Sequence, residues 1–323
     1  MAKIMTKFNV DKKRLHFKES ENLFAFLTKY KTGDWISDFG GEFGSEFKLH
    51  ILDDDRGKNG DKEPSVLLVN VVLADGTLLG TLQVNSPKGK YGGAFFMFDN
   101  AALYKEAGYT FKGEKYNHEC LLPQVTETLG LKLNNVTEME LTLDGTRNAN
   151  GITRSLIKRS DLYDMFLNGK KVVDDNKLIE NYLECYSRTR KRLNSTPTLY
   201  ASQAKGDLSL RIYNKSREIQ EASAKDYITS WDEFGNQDIY RIEITIRNEA
   251  YKDFNSSLEQ DPRYSELFGN IDSQMLMMSD QDFLQKIWTT LADRILYFRE
   301  KFGEKRKITL LDIAQGYRIP RRI

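Results

Sequence analysis

Three stretches of this chain alternate apolar and polar side chains with a period of two, and that alternation leaves few folds open. In "DLSLRIYNKSREI", Leu208, Leu210 and Ile212 alternate with Ser209, Arg211 and Tyr213. In "NNVTEMELTLDGTRN", Leu141 and Leu143 alternate with Glu140, Thr142 and Asp144, and in "QDIYRIEITIRNEAY", Ile242, Ile244 and Ile246 alternate with Glu243, Thr245 and Arg247. A period of two is that of a strand with one buried and one polar face. Successive side chains point to opposite sides, so two carboxylates four residues apart, Glu140 and Asp144, point the same way. Strands polar on one face belong to antiparallel sheets. The expectation is an α+β fold: a largely antiparallel central sheet, the three polar-faced strands side by side, helices backing the apolar face, and a helical C-terminal region.

The remaining pattern fills in this outline. "KESENLFAFLTKY" predicts a helix with Ser20 as a possible cap and an apolar stripe of Leu23, Phe24, Phe26 and Leu27. "EFKLHIL", "SVLLVNVVLADGTLLGTLQVN" and "GGAFFMFD" predict a hairpin-rich sheet, with "ADGT" as the Asp-Gly turn. "HECLLPQVTETLGLKL" offers a short helix, further helices are expected over about 152–168 and 174–193, and a helical or irregular segment near 219–231. "TPTLYAS" adds a strand, and after Asp261-Pro262 the pattern turns helical, notably in "DQDFLQKIWTTLADRILYFREKF". The expected division is an N-terminal β-rich half at 1–125, a second half at 126–262 continuous with it, and the helical region at 263–323.

Composition narrows the function classes. With 48 basic against 47 acidic side chains the chain carries a net charge of only +1, so any polyanion must be met by local clusters. Two such clusters stand out: Arg154, Lys158 and Arg159 in "TRSLIKR", and Arg188, Arg190, Lys191 and Arg192 in "SRTRKR". They read as solvated helix faces or as phosphate contacts. Cys120 and Cys185 have no metal-ligand spacing, and "DDDRGKNGDKE" places Gly57 and Val66 where a calcium loop needs ligands. His16, His50 and His118 are scattered and form no His-x-His pair. The N-terminus has no apolar core of signal-peptide length, and the longest apolar stretch is broken by Asn70, Asp75 and Gly76, so a cytoplasmic protein without a membrane partner is expected.

Periodicity alone leaves two readings of the three strands: ordinary amphipathic strands with water outside, or neighbours whose Glu140, Asp144, Arg211, Tyr213, Glu243 and Arg247 converge. The ordered motifs "VTEMELTLDGT", "LYASQAKGDLSLRIYNKSRE" and "IYRIEITIRN", spanning roughly residues 130 to 255, resemble the Rep_trans family of rolling-circle replication initiators and the related relaxases of mobile elements. The resemblance implies an origin-specific DNA nicking and strand-transfer enzyme of plasmid or phage type. Tyr213 would form a 5′-phosphotyrosyl intermediate, aided by Arg211 or Lys215, and Glu140, Asp144 and Glu243 would hold Mg²⁺ or Mn²⁺. Its implied partners are origin DNA in double- and single-stranded form, a host helicase and polymerase, and a second copy in a homodimer. In that family the earlier strand usually reads arginine, apolar, aspartate; here it reads Glu138, Met139, Glu140, an acid in place of the base and a longer ligand. The rival readings are a non-catalytic origin-binding protein or repressor with the same fold, and a conjugative relaxase.

The chemistry gives these residue types a reason. Charge builds on the non-bridging oxygens of a phosphodiester under in-line attack, and a cation held by carboxylates neutralises it. Oxygen-only ligation suits magnesium or manganese. A phenol, with an ordinary pKa near 10, must lose its proton as it attacks.

Overall fold

The computed structural model describes residues 5–38, 47–54, 64–89, 92–104, 110–111, 114–115, 121–172, 198–201, 207–222, 234–235, 237–247, 250 and 281–319. The fold is α+β, with a 10-stranded antiparallel sheet in the order β12-β13-β14-β9-β1-β6-β5-β4-β3-β2. Its strands are β1 (Thr6–Lys18), β2 (Trp35–Ile36), β3 (Phe47–Asp54), β4 (Val66–Leu73), β5 (Leu78–Asn85), β6 (Ala94–Phe98), β9 (Lys132–Gly145), β12 (Leu199–Ala201), β13 (Leu208–Asn214) and β14 (Tyr240–Arg247). The polar-faced strands β13, β14 and β9 are consecutive, as their shared alternation predicts. The chain divides into two compact units: Met1–Val10, Glu140–Ala250 and Met277–Ile323 in the first, and Asp11–Met139 and Tyr251–Leu276 in the second.

In the second unit, β4 buries every other residue, Leu67, Val69, Val71 and Leu73. Cross-strand register brings Leu49 opposite Val71 and Leu82 opposite Val69, so one sheet face collects the apolar set. Helix α1 (Glu21–Leu27) buries Leu23, Phe24 and Leu27, and Ser20 makes no side-chain cap bond. The Asp-Gly turn forms as expected: Gly76 has φ 84°, and the Asp75 carboxylate accepts from the Thr77 amide at 2.8 Å. Helices α2 (Asn100–Tyr104) and α3 (Leu122–Thr128) and the short β7 (Thr110–Phe111) and β8 (Glu114–Lys115) complete the unit.

In the first unit, Leu210, Ile212, Ile242, Ile244, Ile246, Leu141 and Leu143 are all buried on the apolar side of β13, β14 and β9. Helix α4 (Ala149–Ile157) starts under an Asn148 cap whose side chain accepts from the Gly151 amide, and buries Leu156. Helix α5 (Lys215–Ala222) follows β13 directly, and α6 (Gln281–Ile295) buries Leu284, Ile287, Trp288 and Leu291. The Trp288 indole meets Phe8 of β1 edge-on at 5.7 Å. A capping box of Thr309 and Asp312 starts α7 (Leu310–Ala314).

Two expected helices are shorter than their patterns. The helix expected over 152–168 ends at Ile157, and Tyr163–Leu167 is strand β10, turning through Asn168 (φ 50°) and Gly169 (φ 74°) into β11 (Lys170–Lys171). The pattern "DQDFLQKIWTTLADRILYFREKF" breaks at Ile295, after which Leu296–Glu300 is strand β15, paired with β16 (Lys307–Ile308). These four strands form their own sheet, β11-β10-β15-β16, so alternating Tyr163, Met165 and Leu167 bury against Leu296 and Phe298. Tertiary pairing overrides helical spacing here. The helix expected over 174–193, the calcium-like stretch after Asp54 and both cysteines lie outside the described residues.

Candidate active site

The site is built on the polar face of β13, β14 and β9. Register places Arg211 opposite Glu243 and Tyr213 opposite Arg241, so all four side chains stand on one face. Glu243 is fully buried and serves two partners. Its Oε1 accepts from Arg211 Nε at 2.7 Å and from Arg211 Nη2, and its Oε2 accepts from the Tyr213 hydroxyl at 3.0 Å. The Arg211 guanidinium reaches Glu140 Oε2 at 3.9 Å and lies 5.8 Å from the centre of the Tyr213 ring. Burial opposes the charge on Arg211, but Glu243, then Tyr213 and Glu140, raise its pKa above the ordinary arginine value.

Glu140 and Glu243 are joined by Asp11, which follows Val10 on β1; one carboxylate oxygen from each of the three lies within 4.8 Å of the others. Asp11 and Glu243 are buried and Glu140 is half-buried, so three negative groups are crowded where water screens poorly. Carboxylate oxygens gathered this closely fit a hard divalent cation.

Asp144 stands apart from that group. Both of its oxygens accept from Arg241, Nε to Oδ1 and Nη2 to Oδ2 at 2.7 Å each, and Asn9 Nδ2 donates to Oδ2 at 3.1 Å. Asp144 and Arg241 are both fully buried, a fork-to-fork pair. Sequence reading brings Glu140, Glu243, Arg211 and Tyr213 together as the structure does, but gives no sign of Asp11 or of Arg241. Arg241 had a signal, since it shares the two-residue parity of Glu243. Asp11 had little, because β1 buries residues on both faces there and blurs its alternation.

Lys215 is buried at the first residue of α5, its Nζ 2.5 Å from Glu218 and 5.8 Å from the Tyr213 ring centre. Asn214 fixes this strand-to-helix junction by accepting from the Arg217 amide at 2.9 Å. Tyr200 on β12 sits opposite Arg211, whereas Tyr240 sits opposite Asn214 with the other parity. Of the basic residues, Arg154 on α4 bonds Asn150 Oδ1 at 2.8 Å, Lys158 caps α4 in an exposed position, and Arg159 is half-buried. Arg188, Arg190, Lys191 and Arg192 lie outside the described residues.

No model of a known protein family matches this chain, and no curated protein matches its sequence. Among solved structures it is similar to a rolling circle replication initiator protein from Geobacillus stearothermophilus, at 14% identity and a TM-score of 0.47, covering 99% of this chain and 100% of that one. Among the described residues no helix is long and apolar enough to cross a membrane.

Proposed function

We propose that this protein is a divalent-metal-dependent DNA nicking and strand-transfer enzyme, with Tyr213 as nucleophile, that opens one strand at an origin to initiate rolling-circle replication. The observation that carries the reading is the 3.0 Å hydrogen bond from the Tyr213 hydroxyl to a buried carboxylate, Glu243, that is also one of three clustered acids. The motif order around Tyr213 supports the choice of DNA as substrate.

In this reading Tyr213 Oη attacks the phosphorus in line and its proton passes to Glu243 Oε2. The bond from phosphorus to the 3′ oxygen breaks as the bond to tyrosine forms, leaving a 5′-phosphotyrosyl link and a 3′ hydroxyl once that oxygen has taken up a proton. Attack by a 3′ hydroxyl reverses the exchange, so one chemistry nicks and rejoins. Arg211 steadies the phenolate and keeps Glu243 aimed at the hydroxyl. Asp11, Glu140 and Glu243 would hold Mg²⁺ or Mn²⁺, which would polarise the phosphodiester.

The test is supercoiled plasmid carrying the cognate origin, incubated with and without magnesium, with wild type and Tyr213→Phe. Relaxed or nicked product with wild type and magnesium alone supports the reading. Origin binding without any nicked product would make the chain a non-catalytic origin-binding protein.

A further inference from the structure

The four-stranded sheet has an outer face that the proposed nicking site does not use. Phe166 of β10 and Tyr297 of β15 are opposite each other in register, and their rings stack at 4.7 Å and 7°. Both are half-buried and lie on the side opposite the buried Met165, Leu167, Leu296 and Phe298. Cations surround them. The exposed Arg299 guanidinium is 5.5 Å from the Phe166 ring centre and 6.0 Å from that of Tyr297, and Lys307 Nζ is 4.5 Å from Tyr297. Lys171 is opposite Phe166 across the β10–β11 hairpin.

The charge is one-sided. Asp164 is neutralised by Lys171 at 2.9 Å and Lys301 at 3.5 Å, and Lys307 meets Asp293 at 2.6 Å. Four cations thus stand against two carboxylates, and Arg299 forms no salt bridge among the described residues. A protein partner of ordinary composition would not need this pairing of aromatic faces with excess positive charge. Unpaired nucleotides need both: aromatic surface for a base, and cations for the phosphates on either side of it. A duplex hides its base faces and offers only the phosphates.

We infer that the outer face of this small sheet is a docking platform for single-stranded DNA, with the Phe166–Tyr297 pair receiving a base and Arg299, Lys307 and Lys171 receiving the phosphates. The inference goes beyond the nicking proposal and is tested apart from it, in EDTA, where no metal-dependent cleavage occurs.

The experiment compares binding of the full chain, by fluorescence anisotropy across a salt series, to a labelled dT oligonucleotide, an abasic strand of the same length, and a duplex. Wild type should bind dT at least about fivefold more tightly than the abasic strand, the stacking contribution of one base. Phe166→Leu/Tyr297→Leu, which keeps apolar bulk, should abolish that preference and leave abasic binding unchanged. Arg299→Gln/Lys307→Gln should weaken both strands and lower the salt slope by roughly 0.7 per lost phosphate contact. Equal binding of dT and abasic strand by wild type would overturn the inference. So would tighter binding of the duplex, or a dT preference and salt slope that survive Arg299→Gln/Lys307→Gln.

Discussion

Tyr213 and Arg211 share one carboxylate: Glu243 takes the phenol on Oε2 at 3.0 Å and the guanidinium on Oε1. Because the two donors occupy different oxygens, removing the phenol leaves the ion pair whole. Tyr213→Phe should therefore still fold, losing a hydrogen bond to a charged carboxylate worth about 1.5–3 kcal/mol, and should bind origin DNA while forming no covalent product. Peptide mapping of protein trapped on a 5′-labelled cleavage product checks this. Tyr200 is the informative competitor, since it lies opposite Arg211 on the same face. An adduct on Tyr200, or an undiminished one in Tyr213→Phe, would move the nucleophile.

Glu140→Gln and Glu243→Gln keep the side-chain shape and remove one negative charge each from the group with Asp11. Each should weaken Mn²⁺ binding, read by electron paramagnetic resonance of free Mn²⁺, and each should abolish nicking in magnesium. In wild type, EDTA should stop cleavage, and Mg²⁺ or Mn²⁺ should restore it. Full Mn²⁺ binding by Glu243→Gln would remove the three-carboxylate metal site from the mechanism.

The strand face was legible in the sequence because a period of two survives wherever one side of a sheet is apolar, as at Ile242, Ile244 and Ile246. That β13, β14 and β9 lie side by side followed from the need of three polar faces to meet, whereas their order did not. The pairing of individual acids was not legible, because the period says which face a side chain takes and not which neighbour it meets. Asp144 is two residues from Thr142 and four from Glu140, yet it bonds Arg241 while Glu140 faces Glu243. The small sheet was hidden by apolar spacing at 163–167 and 296–300 that fits a helix as well as a strand. Asn168-Gly169 was the overlooked signal, a two-residue hairpin turn with both φ angles positive.

The Asp144–Arg241 pair makes a different prediction from the metal group. Both residues are fully buried, so Asp144→Ala strands a guanidinium without its carboxylate and should cost about 3–5 kcal/mol of stability, whatever it does to nicking. Replacing both partners, as in Asp144→Leu/Arg241→Met, should recover much of that loss. Urea unfolding of Asp144→Leu, Arg241→Met and the double variant measures the coupling directly. A midpoint for Asp144→Ala equal to wild type would mean that the pair contributes nothing to folding.

Tyr317 ties the segment after α7 to the small sheet, donating to Glu300 Oε1 at 3.1 Å and lying 3.4 Å from the Tyr163 hydroxyl. Burial first, then Tyr163 and Glu300, raise its pKa above the ordinary tyrosine value. The folded state thus holds this proton more tightly than the unfolded chain does. Its contribution is complete below the unfolded pKa near 10 and is lost as pH rises from there toward the folded value. Tyr317→Phe removes the titrating group along with its hydrogen bonds. At about pH 8 the variant should be less stable by about 1–2 kcal/mol. Between about pH 10 and 11 wild type should lose stability more steeply than the variant, so the gap should narrow. Urea midpoints of both proteins across that range give the comparison; a constant gap would mean that the Tyr317 hydroxyl titrates alike in both states, and a widening one that folding favours its loss of the proton.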